Sequence, residues 1–179
     1  LVWPEASSSV LEYGVWHGLF PAEPDQLKRY HTPGAQSAGE NLLEVGGLEI
    51  IPGPDGPRVL AVTRRGEMWG IDGFAGRDVA EEPVFERVAD GLHEPLGLLR
   101  DGDALMVACR GKLVRLTDTD GDHVYETHDS VTDWWRISGN YHEYNFGPAP
   151  AIDGSYWITT NKPFGAQPFG RVTWRGYAL

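Results

Sequence analysis

Val62-Thr63-Arg64-Arg65-Gly66-Glu67-Met68-Trp69-Gly70-Ile71-Asp72 is an apolar run of strand length, a charged turn carrying a glycine, and a second run with alternating side chains. The pattern returns at Val107-Ala108-Cys109-Arg110-Gly111-Lys112-Leu113-Val114-Arg115-Leu116. It returns again as Trp157-Ile158-Thr159-Thr160, with Gly170-Arg171-Val172-Thr173-Trp174-Arg175 after a long polar insertion. Period-two alternation on both sides of a turn predicts a β-hairpin, used here three times. Gly66 and Gly111 lie 45 residues apart and Gly170 follows 59 later, a spacing in the range of propeller blades.

The repeat extends upstream of each hairpin. Gly47-Leu48-Glu49-Ile50-Ile51-Pro52 precedes Pro54-Asp55-Gly56, Pro95-Leu96-Gly97-Leu98-Leu99 precedes Asp101-Gly102-Asp103, and Pro148-Ala149-Pro150-Ala151-Ile152 precedes Asp153-Gly154. Asp-Gly is strong turn chemistry because glycine reaches positive φ without steric cost. Each repeat thus has three strands, and a fourth is expected at Val84–Val88 and at Tyr125–Thr127. The expectation is an all-β chain, a partial β-propeller of about three blades. An unrelated meander or sandwich is the alternative. Closed propellers use about 4 to 8 blades, so three blades read as a fragment of a larger ring, or as part of an oligomer that completes one.

Residues 42–179 hold the blades. Residues 1–41 read as a loop-rich lead-in with one strand around Val10–Val15 and with Trp3, Tyr13, Trp16 and Phe20 packing on a blade edge. The 23 glycines and 13 prolines leave little room for long helices, and 41% hydrophobic content in 179 residues supports a real core. A formal net charge of −11 disfavours nucleic acid and favours cations as partners. No apolar run reaches membrane-spanning length. The single cysteine, Cys109, lies in an apolar strand and reads as a small buried hydrophobe.

Asp118-Thr119-Asp120-Gly121-Asp122-His123-Val124-Tyr125-Glu126-Thr127-His128-Asp129 places carboxylates at positions 1, 3 and 5 of a loop. Hard oxygen ligands so spaced suit Ca²⁺, with the carbonyl of Val124 at position 7 and either Glu126 or Asp129 closing the shell. The expected metal ligands are Asp118, Asp120, Asp122, Val124, Glu126 and Asp129. Strands rather than helices flank this loop, and His123 stands where glycine usually permits the sharp turn. The plain alternative is a solvated acidic turn.

Residues 133–147 concentrate Trp134, Trp135, Arg136, Asn140, Tyr141, His142, Glu143, Tyr144 and Asn145. Flat aromatic faces beside groups that donate and accept protons suit a sugar or a planar cofactor. His142 is the candidate general base, since a neutral imidazole can take a proton from a hydroxyl. Adjacent strand residues face opposite sides, so Glu143 is not expected to orient that ring. Arg136 reads as an anion or carbonyl partner, or as a cation stacked on Trp135.

His142 with Phe146-Gly147-Pro148 and Asp153-Gly154-Ser155-Tyr156-Trp157-Ile158-Thr159 resembles soluble quinoprotein glucose dehydrogenases. Leu92-His93-Glu94-Pro95-Leu96-Gly97-Leu98 and Arg110–Leu116 are similar to that family's Pro-containing strand and Arg-Gly hairpin. Glu44-Val45-Gly46-Gly47-Leu48, Thr63–Trp69 and Ser138-Gly139-Asn140-Tyr141-His142-Glu143-Tyr144 resemble more closely the propeller module of large bacterial proteins described as membrane-bound dehydrogenases, often fused to cytochrome c domains and usually exported. The likeness covers about residues 42–175. It implies a six-bladed propeller, pyrroloquinoline quinone as cofactor, and oxidation of a sugar or other alcohol in the periplasm or outside the cell. His142 is then the catalytic base and a cytochrome c domain or other electron acceptor the partner, while the family's quinone-holding positions are mostly basic residues in later blades, outside this segment. From the aromatic segment itself, Arg136, Asn140 and Trp135 are the candidate cofactor contacts. Thr160-Asn161-Lys162-Pro163 stands where the glucose enzymes carry Gly-Asp, which points away from glucose itself. Two other functions fit the same residues. One is a non-catalytic, calcium-stabilised propeller binding glycan or protein through Trp134, Trp135, Tyr141 and Tyr144. The other is a lactonase-type propeller with a central metal, for which Glu94 and Glu143 are the inward acidic candidates.

Overall fold

The computed structural model describes residues 44–53, 56–73, 83–137, 142–161 and 178–179. Among these there is no helix, and the chain is all-β with three antiparallel sheets, none of them closed. The first sheet holds β1 (Val45–Gly53), β2 (Gly56–Thr63), β3 (Met68–Asp72) and β4 (Val84–Ala89), paired in chain order. The second holds β5 (Leu98–Asp101), β6 (Ala104–Ala108), β7 (Leu113–Thr117) and β8 (Thr127–Thr132), again in order. The third pairs β9 (Asn145–Pro150) with β10 (Tyr156–Thr160), and Leu179 exchanges backbone hydrogen bonds of 2.8 Å with Ile158. The expected lead-in over residues 1–41, with its strand at Val10–Val15, and the expected strand at Gly170–Arg175 lie outside the described residues.

The meander follows from the turns. Gly102 at φ 62° and Gly154 at φ 85° take the left-handed backbone that tight Asp-Gly connections require and other residues resist. Two expected strands are displaced. The fourth strand of the second repeat is Thr127–Thr132 rather than Tyr125–Thr127. The backbone N–H of Tyr125 donates to the Val88 carbonyl at 2.8 Å, so the chain first closes against the first sheet and only then pairs with β7. In the third repeat the first strand is Asn145–Pro150, and Ile152, expected within it, is fully exposed in the turn.

The middle sheet carries core on both faces. Leu98, Leu105, Val107, Val114 and Leu116 pack with Ile51, Leu60, Val62, Met68 and Val88 of the first sheet. From its other face, Met106 and Leu113 pack with Trp135 and Ile158. Burial from both sides explains why β6 is apolar at every position instead of alternating. In the first sheet the guanidinium of Arg58 lies over Gly70 and binds Glu86 at 2.5 Å and Asp72 at 3.5 Å.

Between sheets, β1 meets β5, and β9 meets both β5 and β6. The first strands of neighbouring sheets are thus in contact. A methyl group on Gly47 would lie 2.9 Å from the Gly97 Cα, and one on Gly97 would overlap the Gly147 carbonyl. Gly47, Gly97 and Gly147 stand exactly fifty residues apart in sequence. We expect Gly97→Ala to cost about 1–3 kcal/mol by overpacking in urea unfolding of the whole protein. Gly111→Ala, whose new methyl would meet only Ile137 at 3.6 Å, should leave the midpoint nearly unchanged.

Candidate functional site

The turns after β2 and β6 and the segments leading into β5 and β9 lie together. Arg64 N donates to the Glu44 carbonyl at 2.7 Å, Arg110 N to that of His93 at 2.9 Å, and Asn161 N to that of Tyr144 at 3.0 Å. A residue one or two positions past the second strand of each sheet is thus tied to the segment entering the first. Arg64, Arg110 and Asn161 consequently occupy matching positions in the three repeats.

Two of these equivalent side chains converge. Arg110 Nη1 donates to Glu94 Oε2 at 2.6 Å, and Arg64 Nη2 lies 3.8 Å from Glu94 Oε1. Arg64 Nη2 also donates to the Tyr144 hydroxyl at 2.5 Å. The guanidinium carbons of Arg64 and Arg110 sit 5.1 and 6.0 Å from the Tyr144 ring centroid, within cation–π range. His93 Nε2 approaches Glu94 Oε2 at 3.9 Å. Glu94 holds φ at 45°, a left-handed conformation that costs a non-glycine residue about 1–3 kcal/mol and persists only where its surroundings enforce it. The charge-assisted bond to Arg110 is the visible restraint.

The turn beneath is fixed from inside. The Arg110 carbonyl accepts from Trp135 Nε1 at 3.2 Å and from the buried Asn145 side-chain amide, which also donates to the Cys109 carbonyl at 3.2 Å. Burial pushes the Cys109 thiol up to about 11, leaving it protonated and unreactive at neutral pH.

His142 is exposed while its neighbour Glu143 is 1% exposed, so the two side chains face opposite sides. The His142 carbonyl accepts from Asn161 Nδ2 at 3.0 Å, which anchors its backbone to the same group of turns. Trp135, a candidate cofactor contact, is buried in the core among Met106, Leu113 and Ile158; its exposed neighbour is Trp134. Arg136 is exposed at φ 46° beside that core residue. Asn140 and Tyr141 lie outside the described residues. Arg64 and Arg110, by contrast, enter the site although sequence alone presents them as turn residues. Their shared place in the turn after the second strand is the signal that marks them.

The acidic loop gathers Asp118, Asp120 and Glu126, whose nearest carboxylate oxygens lie within 4.8 Å of one another. Asp122, the Val124 carbonyl and Asp129 are not part of that group; Asp129 is on β8, paired with Arg115. The loop also satisfies itself. Asp118 accepts from the backbone N–H groups of Gly121 at 2.7 Å and His123 at 3.0 Å, and Asp122 from Val124 at 2.8 Å. Slight desolvation pushes the Asp118 carboxyl up, but these N–H bonds more than offset it and hold it below its ordinary range. The Thr119 hydroxyl, 2.5 Å away, does the same for Glu126. His123 adopts φ 69°, making the turn that glycine would make. Carboxylates this close together could hold a hard cation between Asp118, Asp120 and Glu126.

Comparison of the chain with protein-family models, curated proteins and solved structures found no match.

Removing the carboxylate that Arg110 grips should be costly, because Arg110 is nearly buried. Glu94→Ala is expected to destabilise the protein by roughly 1.5–3 kcal/mol, the worth of a hydrogen bond to a charged group, read from the urea midpoint.

Proposed function

We propose that this chain forms three consecutive blades of a β-propeller and that the end carrying Arg64, Glu94, Arg110, His142 and Tyr144 binds a polar small molecule. The observation that carries this reading is the contact between the first strands of three consecutive antiparallel sheets. Sheets splayed from a shared inner edge form a fan, and the loops at one end of a fan meet at its axis. The resemblance described above gives the chemistry: oxidation of a sugar or other alcohol, with transfer of electrons to a cytochrome c domain or similar acceptor outside the cytoplasm.

The residues present fit the implied quinone in part. Arg136 supplies a cationic group for its carboxylates, whereas the buried ring of Trp135 offers it no open face. Pyrroloquinoline quinone, when bound, would supply a hydride acceptor. His142 takes the hydroxyl proton of the substrate; its ring stands in solvent and its backbone is pinned by Asn161. Glu94 and Arg110 hold the neighbouring turn in place.

A second reading, a non-catalytic propeller stabilised by calcium that binds glycan, is favoured by Trp134, which is 79% exposed as a sugar-stacking face requires. Saccharide binding without added quinone separates the two.

Dye reduction by the whole protein with quinone, calcium and a panel of aldoses and alcohols should be abolished by His142→Ala and by His142→Gln, with unchanged unfolding midpoints. Undiminished turnover in either variant removes His142 as the base. If Asp118, Asp120 and Glu126 hold calcium, the ion at 100 times its dissociation constant should stabilise the fold by about 2.7 kcal/mol. Thermal melting with calcium and with chelator reads that shift, which Asp120→Asn should erase.

A further inference from the structure

Resting on the ligand-binding reading above, we propose that Arg64 anchors a carboxylate on the ligand, so that the site takes an acidic sugar or hydroxy acid in preference to a neutral sugar. The two arginines of the cluster are not equivalent. The Arg110 side chain is 10% exposed and binds Glu94 at 2.6 Å; the Arg64 side chain is 38% exposed and lies 3.8 Å from the same carboxylate, beyond hydrogen-bond reach. Glu94 is therefore the counter-ion of Arg110. The one hydrogen bond from the Arg64 side chain among the described residues goes to the neutral Tyr144 hydroxyl.

A guanidinium has five donors in a planar fork that matches a carboxylate. Stacking on the Tyr144 ring at 5.1 Å and bonding to its hydroxyl hold that fork in one orientation before any ligand arrives, which lowers the ordering cost of binding. The placement is also local in origin. A chain with a formal net charge of −11 repels anions at long range, so an acidic ligand can be held only where a cation is fixed at short range. His93 and His142, on the segments leading into β5 and β9, add donors suited to hydroxyl groups on the rest of such a ligand.

The test is calorimetric titration of the whole protein with D-glucuronate and D-glucose, rings that differ at one carbon in carboxylate against hydroxymethyl. Glucuronate should bind at least about tenfold more tightly, the worth of one charge-assisted bond. Arg64→Gln should remove that preference, read as the ratio of the two dissociation constants. Arg64→Lys, which keeps the charge and loses the fork, should lose most of it as well, and it decides the matter if the glutamine variant does not fold. Equal binding of the two sugars, binding of neither, or a preference untouched by Arg64→Lys overturns the anchor. Glucuronate held through Arg64 but not oxidised with quinone supports the anchor and removes the oxidation. Oxidation of both sugars alike by the unaltered protein removes the anchor alone.

Discussion

Backbone-to-backbone contact between successive sheets is the constraint on which the rest depends. At Gly47 and Gly97 the leading segments approach so closely that a single methyl group would collide with peptide atoms of the next repeat, the Gly147 carbonyl in the case of Gly97. Side-chain packing alone keeps facing sheets near 10 Å apart. Dropping the side chain at Gly47 and Gly97 lets the leading segments come closer than that. The turns after β2 and β6 and the segments entering β5 and β9 lie together.

That gathering makes the polar cluster possible. Arg64 comes from the first sheet, Glu94 from the segment entering the second and Tyr144 from the segment entering the third. No single repeat could assemble them. Trp135 and Asn145 reach the Arg110 carbonyl from within, coupling the middle turn to the core between the second and third sheets. The strained backbone of Glu94 sits where these supports meet, as strain retained at a binding site would.

Much of the architecture is legible in the sequence because turn chemistry is local. Asp-Gly pairs and alternating runs mark the hairpins, and the continuous apolar stretch Ala104–Cys109 marks a strand covered on both faces. The register of strands without such marks is not legible. Thr127–Thr132 is polar except for Val131 and does not alternate, and Tyr125 is drawn into the core by a partner in another sheet. The fifty-residue glycine period is in plain view, yet its meaning is an inter-sheet distance that no local pattern encodes. Among the site residues, His142 and Glu143 differ in burial as expected, though both lie before β9 rather than on a strand. The inward placement of Trp135 instead of Trp134, and the convergence of Arg64 with Arg110, depend on tertiary packing.

The most direct measurement of the central claim is an experimental structure of the whole protein. The account predicts that β1, β5 and β9 line one axis, with Arg64, Glu94, Arg110, His142 and Tyr144 around one mouth of the channel between them. First strands that do not share an axis, with the sheets stacked as a flat sandwich and His142 on an outer edge, would contradict it.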